Sequence, residues 1–421
     1  MHNQIEKCRI CDNHNLEQIL HLGDQALTGV FPKTLQQHVP RGPLELVKCV
    51  GGCGLVQLRH SFPPDQMYGD NYGYRSGLNA SMVRHLHNLV QATRQRVSLK
   101  RGDIVLDIGS NDSTTLQAYG NSGLRLLGVD PSGNKFKQHY PIWIDMIPDF
   151  FSAGIFRRQF GDERAQIITS IAMFYDLEDP MSFMGEVHAC LADDGIWIFE
   201  QSYLPMMMER NAYDTICHEH CSYYALRQIQ WMAERVGFKI LDVELNDSNG
   251  GSFCVTAAKT SSSHVANDAR LQEILAQEEH KGYNGLDVYE KFRKRVFLHR
   301  DEFRHLLRRL VSDGKQVYGY GASTKGNVIL QFCDVTRDQI LGIAEVNQDK
   351  FGAFTPHTRI PIASEADIKA ASPDYLVVFP WHFRENILER EQSYLNAGGQ
   401  LIFPLPELEI VNGRKASRVA A

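Results

Sequence analysis

The stretch IVLDIGSNDSTTL, residues 104–116, decides the fold. IVLDI is a short apolar run carrying one acid, the pattern of a strand buried on both faces, and GSND is the turn that leaves it. The same pattern recurs downstream. RLLGVDPS (125–132) is a second strand ending in an acid, QIITSIAMF (166–174) a third, DGIWIFEQSYL (194–204) a fourth and SFCVTAAK (252–259) one more. Helical patterns such as DPMSFMGEVHACL (179–191) lie between them. Strands alternating with helices at this spacing predict a parallel sheet with crossover helices.

The turn chemistry selects the ligand. A dinucleotide site wants G-x-G-x-x-G, so that backbone amides can meet a pyrophosphate. Here Asp107, Gly109, Asn111 and Asp112 stand in that turn, and Asp130 closes the second strand. Acids are poor company for a diphosphate. They suit a cationic ligand without phosphate, and S-adenosylmethionine is one: Asp130 would hold its ribose hydroxyls, and its amino-acid end would lie along the Gly109 turn. Carboxylates near the sulfonium favour it electrostatically. The alternative is a plain strand–helix turn in another α/β protein.

Upstream, CRIC (8–11) and CVGGC (49–53) form a C-x2-C and a C-x3-C knuckle. Cys8, Cys11, Cys49 and Cys53 thereby offer four thiolates for a structural, tetrahedral Zn2+. The segment is short, so a metal would help to hold it together. The alternative is four buried free thiols. MYGDNYGYRSGLN (67–79) and a helical pattern beginning ASMVRHL lead into the first strand.

The chain has 421 residues, 43% hydrophobic and 22% charged, with a formal net charge of -6 and signs intermixed. That composition is globular and carries no footprint of nucleic-acid or membrane binding. No apolar run reaches the length of a membrane span. Nine cysteines, an odd count, with a polar N-terminus argue against a disulfide framework and for a cytoplasmic protein.

TSSSHVAND (260–268) is a polar break, followed by a charged helical region to about residue 312. KQVYGYGASTKGNVILQF (315–332) then starts a second α/β unit, with QILGIAEVN, DYLVVFPW and GGQLIFPLP as further strands. Its glycine turn, with Ser323, Lys325 and Asn327, suits a sugar-nucleotide diphosphate at a helix start. A degenerate unit that only packs is the alternative. Trp381 and His382 of FPWHF would serve the same cleft or the core. The expected organisation is therefore a zinc-binding domain (1–62), a Rossmann-like methyltransferase domain of class I (63–260), a helical linker (261–312) and a C-terminal Rossmann-like domain (313–421).

DTICHEHCSYY (214–224) carries the densest chemistry. A zinc protease helix needs histidines four apart. His218 and His220 are two apart, which on a helix separates them by about 200°. Acid–base work fits better. Carbon methylation requires a base that takes a proton next to a carbonyl, and donors that steady the resulting oxyanion. His220 as base, Glu219 beside it as orienting carboxylate, and Tyr223 and Tyr224 as donors make such an apparatus. The bare segment reads equally well as a buried helix start capped by Asp214.

CRIC with CVGGC, NYGYRS, VLDIGSND, EHCSYY, NGGSF, GYGASTKGN and FPWHF occur in this order over nearly the whole chain. In this the chain resembles the three-domain, zinc-containing sugar C-methyltransferases, which methylate C3 of nucleotide-linked 4-keto-6-deoxysugars. The resemblance implies S-adenosylmethionine as cosubstrate, a structural zinc and a nucleotide-linked ketosugar acceptor. It puts the base at His220, its neighbour at Glu219, and an active-site tyrosine at Tyr74 or Tyr72. Asn249 and Gly250 fall in its NGGSF element, on the sugar side with Tyr223, Ser323, Lys325, Asn327 and His382. Three stretches depart from the family pattern: Cys217 and His218 stand where Tyr-Asp is usual, a histidine is replaced around Phe174 and Tyr175, and Ser113 stands where a glycine is usual. A monomer or weak homo-oligomer is expected. An O- or N-methyltransferase, and a non-catalytic zinc-containing scaffold, are the rival functions.

Overall fold

The computed structural model describes residues 2–63, 67, 74–413 and 415–418. Tyr72 lies outside the described residues. The central sheet has seven strands in the order Phe238–Asn246, Ser252–Lys259, Leu191–Ser202, Ala165–Ile171, Ile104–Ile108, Arg125–Val129, Ile144–Ile147. The five from Leu191–Ser202 to Ile144–Ile147 run parallel, Ser252–Lys259 is antiparallel to them, and Phe238–Asn246, its hairpin partner, runs in their direction again. Every residue of IVLDI is buried, as expected of a central strand covered on both faces.

From Ile104–Ile108 the chain winds outward through two strands, then returns to the other side at Ala165–Ile171. That reversal opens a crevice at the carboxyl ends of these strands, where doubly wound folds place ligands. The helix Ala80–Arg96 covers one face. Asn79 caps it by accepting from Ser81 N at 2.9 Å, and Met82, Leu86 and Val90, four residues apart, form its buried stripe.

The N-terminal strands Leu16–Ala26, Arg41–Cys49 and Val56–Leu58 form an antiparallel sheet. Its fourth strand comes from far along the chain: Ser222–Tyr223 pairs with Val56–Leu58, Ser222 opposite Gln57 and Tyr223 opposite Val56. Cys8, Cys49, Cys53 and Leu55 share one core cluster with Leu226, Ile229 and Phe199, so the knuckle is embedded against the methyltransferase unit. Gln228 Nε2 donates to the Cys53 carbonyl at 3.0 Å across that contact.

The region after Lys259 folds as two helices, Asp268–His280 and Asp287–Ser312, separated by a turn containing Gly282 at φ 79°. The second buries Phe292, Val296, Phe303, Leu306, Leu307 and Leu310 in a core that also contains Leu20, Leu22, Ile329 and Val377. The C-terminal sheet has the order Ile362–Ser364, Ile343–Glu345, Val317–Tyr320, Tyr375–Val378, Gln400–Phe403, Glu409–Asn412, Lys415–Arg418. Its first five strands are parallel and the last two form an antiparallel edge.

Candidate active site and metal centre

The four knuckle sulfurs, of Cys8, Cys11, Cys49 and Cys53, lie within 4.8 Å of one another. Cys8 and Cys53 are 3.5 Å apart, as are Cys11 and Cys49. Tetrahedral Zn2+ with bonds of about 2.3 Å needs sulfurs about 3.8 Å apart, so the donor set fits a closed structural site. Asn13 Nδ2 donates to Cys49 Sγ at 3.2 Å, the outer-shell bond such thiolates take. Gly52 is required here, because a Cβ on it would come within 2.7 Å of Cys49 Sγ. Lys48 is buried beside the thiolates, with its ammonium donating to Gly54 O and Tyr283 O at 3.1 and 3.0 Å.

In the crevice, Asp107 is buried and accepts from Thr169 Oγ1 at 2.5 Å. Desolvation pushes its pKa up to about 7. The turn after it is tightly wound: Gly109, Asn111 and Ser113 all have positive φ, and a Cβ on Gly109 would come within 3.1 Å of Met173. Asp130 accepts from Asn111 N at 2.8 Å and from Ser132 N at 2.7 Å, locking the two strand ends together. Residues 74–77 close over this turn. Asn111 Nδ2 donates to Tyr74 O at 3.1 Å, Gly77 N donates to Asp112 Oδ2 at 2.9 Å, and Arg75 Nε lies 3.3 Å from the same carboxylate. Tyr74 is thus held through its backbone at this turn, and the residue is 46% exposed.

The 214–224 segment starts in the single 3-10 turn Tyr213–Thr215, continues as an irregular loop and enters the two-residue strand Ser222–Tyr223. Asp214 lies inside that turn, whose N-cap is Ala212, and its Oδ2 accepts from Trp381 Nε1 at 2.8 Å. The two histidines point different ways. His218 is fully buried against Phe62, ring centroids 4.6 Å apart, with Nε2 at 3.3 Å from Gly42 O. His220 is half-buried, 4.3 Å from the Tyr175 ring, with Nδ1 at 2.7 Å from Thr215 O. A carbonyl can only accept, so Nδ1 carries the proton and Nε2 the lone pair.

The group that orients the His220 ring is therefore the Thr215 carbonyl, where the sequence had suggested Glu219. Glu219 faces the N-terminal unit instead, accepting from Thr28 Oγ1 at 3.3 Å. Tyr223 OH also reaches Thr215 O, at 3.4 Å. Tyr224 belongs to the aromatic core beside Phe174, ring centroids 5.4 Å apart, and is fully buried, so its expected role as a donor in the cleft does not fit its surroundings.

The C-terminal glycine turn brings Lys325 to within electrostatic reach of this segment. Lys325 Nζ donates to Asn249 O at 2.6 Å, and its charge acts on Asp214, His220 and His382. Ser323 is the N-cap of Thr324–Phe332, accepting from Gly326 N at 2.9 Å, and Asn327 Nδ2 donates to Thr28 O at 2.7 Å. These two side chains are committed to structure, whereas Lys325 is turned inward. Gly250, at φ 93°, lets Trp381 approach, since a Cβ there would come within 3.1 Å of its ring. A cleft of about 250 Å3 opens beside this clasp, lined by Ser81, His85, Asn249, His382 and Arg384 among others. At its edge His85 Nε2 lies 2.7 Å from buried Glu200, whose other oxygen accepts from Asn246 Nδ2 at 2.7 Å. Sequence reading missed Thr215, His85, Glu200 and the Asp214–Trp381 bond. A backbone acceptor leaves no mark in a sequence, and the pairs span long separations.

Sheet order, crevice and sulfur cluster define an S-adenosylmethionine-dependent methyltransferase with a structural zinc centre. Comparison with known proteins agrees. Residues 8–68 match the family model described as "Putative zinc binding domain", residues 82–243 "Methyltransferase domain" and residues 247–406 "C-methyltransferase C-terminal domain". The chain is 32% identical to C-methyltransferase NovU of Streptomyces niveus over 419 residues, 97% of each chain. It belongs to this family of S-adenosylmethionine-dependent C-methyltransferases. Among solved structures, magnesium protoporphyrin IX methyltransferase ChlM of Synechocystis with bound S-adenosylhomocysteine aligns at 13% identity and TM-score 0.34, over 43% of this chain and 87% of that one. The 1,6-didemethyltoxoflavin N1-methyltransferase of Burkholderia thailandensis aligns at 14% and 0.32, over 42% and 78%.

Proposed function

We propose that the protein transfers a methyl group from S-adenosylmethionine to C3 of a nucleotide-linked 4-keto-6-deoxysugar. His220 Nε2 takes the C3 proton, which the neighbouring C4 carbonyl acidifies. The carbanion of the resulting enolate attacks the sulfonium methyl, a C–C bond forms as the C–S bond breaks, and S-adenosylhomocysteine leaves. Lys325 supplies positive charge for the enolate oxygen. Asp107, Gly109, Asn111, Asp112 and Asp130 form the cosubstrate crevice. The nucleotide end lies toward the cleft of Asn249 and His382.

The observation that carries this reading is the hydrogen bond from His220 Nδ1 to Thr215 O, which leaves the other ring nitrogen with its lone pair. Burial and Lys325 lower the His220 pKa to about 3, which favours the neutral ring that can accept a proton. A base this weak needs an acidified carbon and a nearby cation for the oxyanion, and a 4-ketosugar beside Lys325 provides both.

The test is isotope exchange. With a nucleotide-linked 4-ketosugar deuterated at C3, the wild-type enzyme should wash deuterium into water and add one methyl to carbon, and His220→Asn should abolish both. Wash-out at the wild-type rate in His220→Asn would remove the base assignment. A methylated product that keeps its deuterium would replace the reaction with O- or N-methylation.

A further inference from the structure

We propose that Arg9 is a positioning residue, which transmits the geometry of the zinc knuckle to the turn carrying His220. Arg9 sits between the metal ligands Cys8 and Cys11, yet its side chain leaves the knuckle and is only 2% exposed. All three of its guanidinium nitrogens donate. Nη1 donates to Leu58 O at 2.6 Å and to Cys221 O at 3.3 Å, Nη2 donates to Ser61 Oγ at 2.8 Å, and Nε pairs with Glu178 Oε2 at 3.2 Å. Glu178 closes the circuit, accepting from Ser61 Oγ at 2.6 Å and from Cys221 Sγ at 3.2 Å.

Cys221 is the residue after His220, and this network holds it from both sides. Its carbonyl receives Arg9 and the Leu58 amide, at 2.9 Å, while its thiol is tied to Glu178. The strand that follows, Ser222–Tyr223, has only two residues of pairing with Val56–Leu58. So short a ladder is marginal alone and its register is weakly specified. A planar fork of donors fixes what the ladder cannot. The fork is itself fixed at its root, because two ligands of one metal flank it and Arg9 N donates to Gln57 Oε1 at 3.1 Å. The knuckle therefore orders the Thr215–Tyr223 loop, a task distinct from folding its own segment. The catalytic consequence rests on the reading of His220 as the base.

The experiment uses the full-length, zinc-loaded chain with Arg9→Gln and Arg9→Lys. In Arg9→Gln, elemental analysis should still find one zinc per chain, and S-adenosylmethionine affinity should be unchanged. Hydrogen exchange at residues 216–223 should speed up by about 10-fold or more while Ile104–Ile108 stays protected. A misplaced loop should lower kcat by about 100-fold with the acceptor KM little changed, and Arg9→Lys should fall between. Unchanged exchange and kcat in Arg9→Gln would overturn the proposal, and so would loss of zinc from a folded Arg9→Gln, which would assign Arg9 to metal retention. Should Arg9→Gln fail to fold, Glu178→Ala decides by the same loop exchange: faster exchange supports the coupling and wild-type exchange overturns it. The exchange measurement does not involve proton abstraction. A wrong base assignment therefore shows up as wash-out persisting in His220→Asn, separately from any failure of the coupling.

Discussion

His220 Nδ1 donates to the carbonyl oxygen of Thr215, five residues earlier in the same loop, at 2.7 Å. This bond fixes the tautomer without supplying the negative charge that would raise the ring's pKa. Burial and then Lys325 instead lower it to about 3. A ring-resolved NMR titration should therefore find His220 neutral down to at least about pH 5, with no midpoint near the ordinary value of about 6.5. Lys325→Met removes a lowering charge, so it should move the midpoint upward while reducing kcat. A wild-type midpoint near neutrality would contradict the geometry.

His218 makes a prediction about stability. It is buried between Phe62 and Gly42 O, and desolvation holds its pKa near 4. Below about pH 6.5 the unfolded chain binds a proton at this site that the folded chain refuses until about pH 4. The stability that depends on the neutral ring is complete above 6.5 and is lost as pH falls through that window. At pH 5 the loss from this one group is about 2 kcal/mol. His218→Leu should be less acid-sensitive than the parent in denaturant titrations between about pH 7 and pH 5. Equal slopes would show that water reaches the site.

With Asp107 in the proposed cosubstrate crevice, cosubstrate binding should be linked to protons. Burial first, then the neighbouring Asp130, raise its pKa to about 7, so near neutrality it is half protonated. A sulfonium nearby favours the carboxylate, so S-adenosylmethionine binding should release a proton and tighten by up to about tenfold from pH 6 to pH 8. S-adenosylhomocysteine has the same amino acid and ribose without the sulfonium, and should release less. Calorimetry in buffers of different ionisation enthalpy measures both. Equal release for the two ligands would mean the sulfonium does not sense Asp107.

The zinc centre should be stoichiometric and stabilising. Apparent zinc binding free energies for small structural sites run to about 10–16 kcal/mol, and loss of metal removes that constraint from the folded state. Cys49→Ser should abolish zinc binding. It should also open the Leu16–Leu58 region to protease before the Ile104–Ile147 core. Retention of one zinc per chain by Cys49→Ser would mean three thiolates suffice.

Much of this architecture was legible in the sequence because it depends on local signals. Cys8, Cys11, Cys49 and Cys53 sit at knuckle spacing, and IVLDI followed by a glycine turn is a strand entering a crevice. The candidate site was legible only as a composition. HEH names two imidazoles, but an aperiodic loop gives no rule for which way each faces, and here one packs on Phe62 and the other on Tyr175. Arg9 and the pairing of Ser222–Tyr223 with the zinc sheet arise from contacts distant in sequence, which no local pattern encodes, and Thr215 acts through a backbone carbonyl that every residue carries. Tyr224 and Asn327 carry the right chemistry for a site but have been taken up by packing and by an interdomain hydrogen bond.

The clasp between Trp381 and Asp214 should set how firmly the C-terminal unit closes on the methyltransferase unit. Trp381 Nε1 donates to Asp214 Oδ2 at 2.8 Å, and the indole ring lies over Gly250 in the hairpin of the central sheet. Trp381→Phe keeps an aromatic ring there but removes the donor. It leaves a fully buried carboxyl group, whose pKa burial has already raised, without its partner. Losing one partner of a buried bond costs about 1–3 kcal/mol. Gly250→Ala should act on the same contact by another route, because it puts a Cβ at φ 93° within 3.1 Å of the ring. Both variants should raise the acceptor KM while leaving S-adenosylmethionine affinity unchanged, since the Asp107–Asp130 crevice makes no use of the clasp. A double-mutant cycle of Trp381→Phe with Asp214→Ala should give a coupling of about 1 kcal/mol or more, because the second change removes the group that the first left unpaired. Strict additivity would mean that the bond contributes nothing to closure and that Trp381 acts through its packing on Gly250 alone.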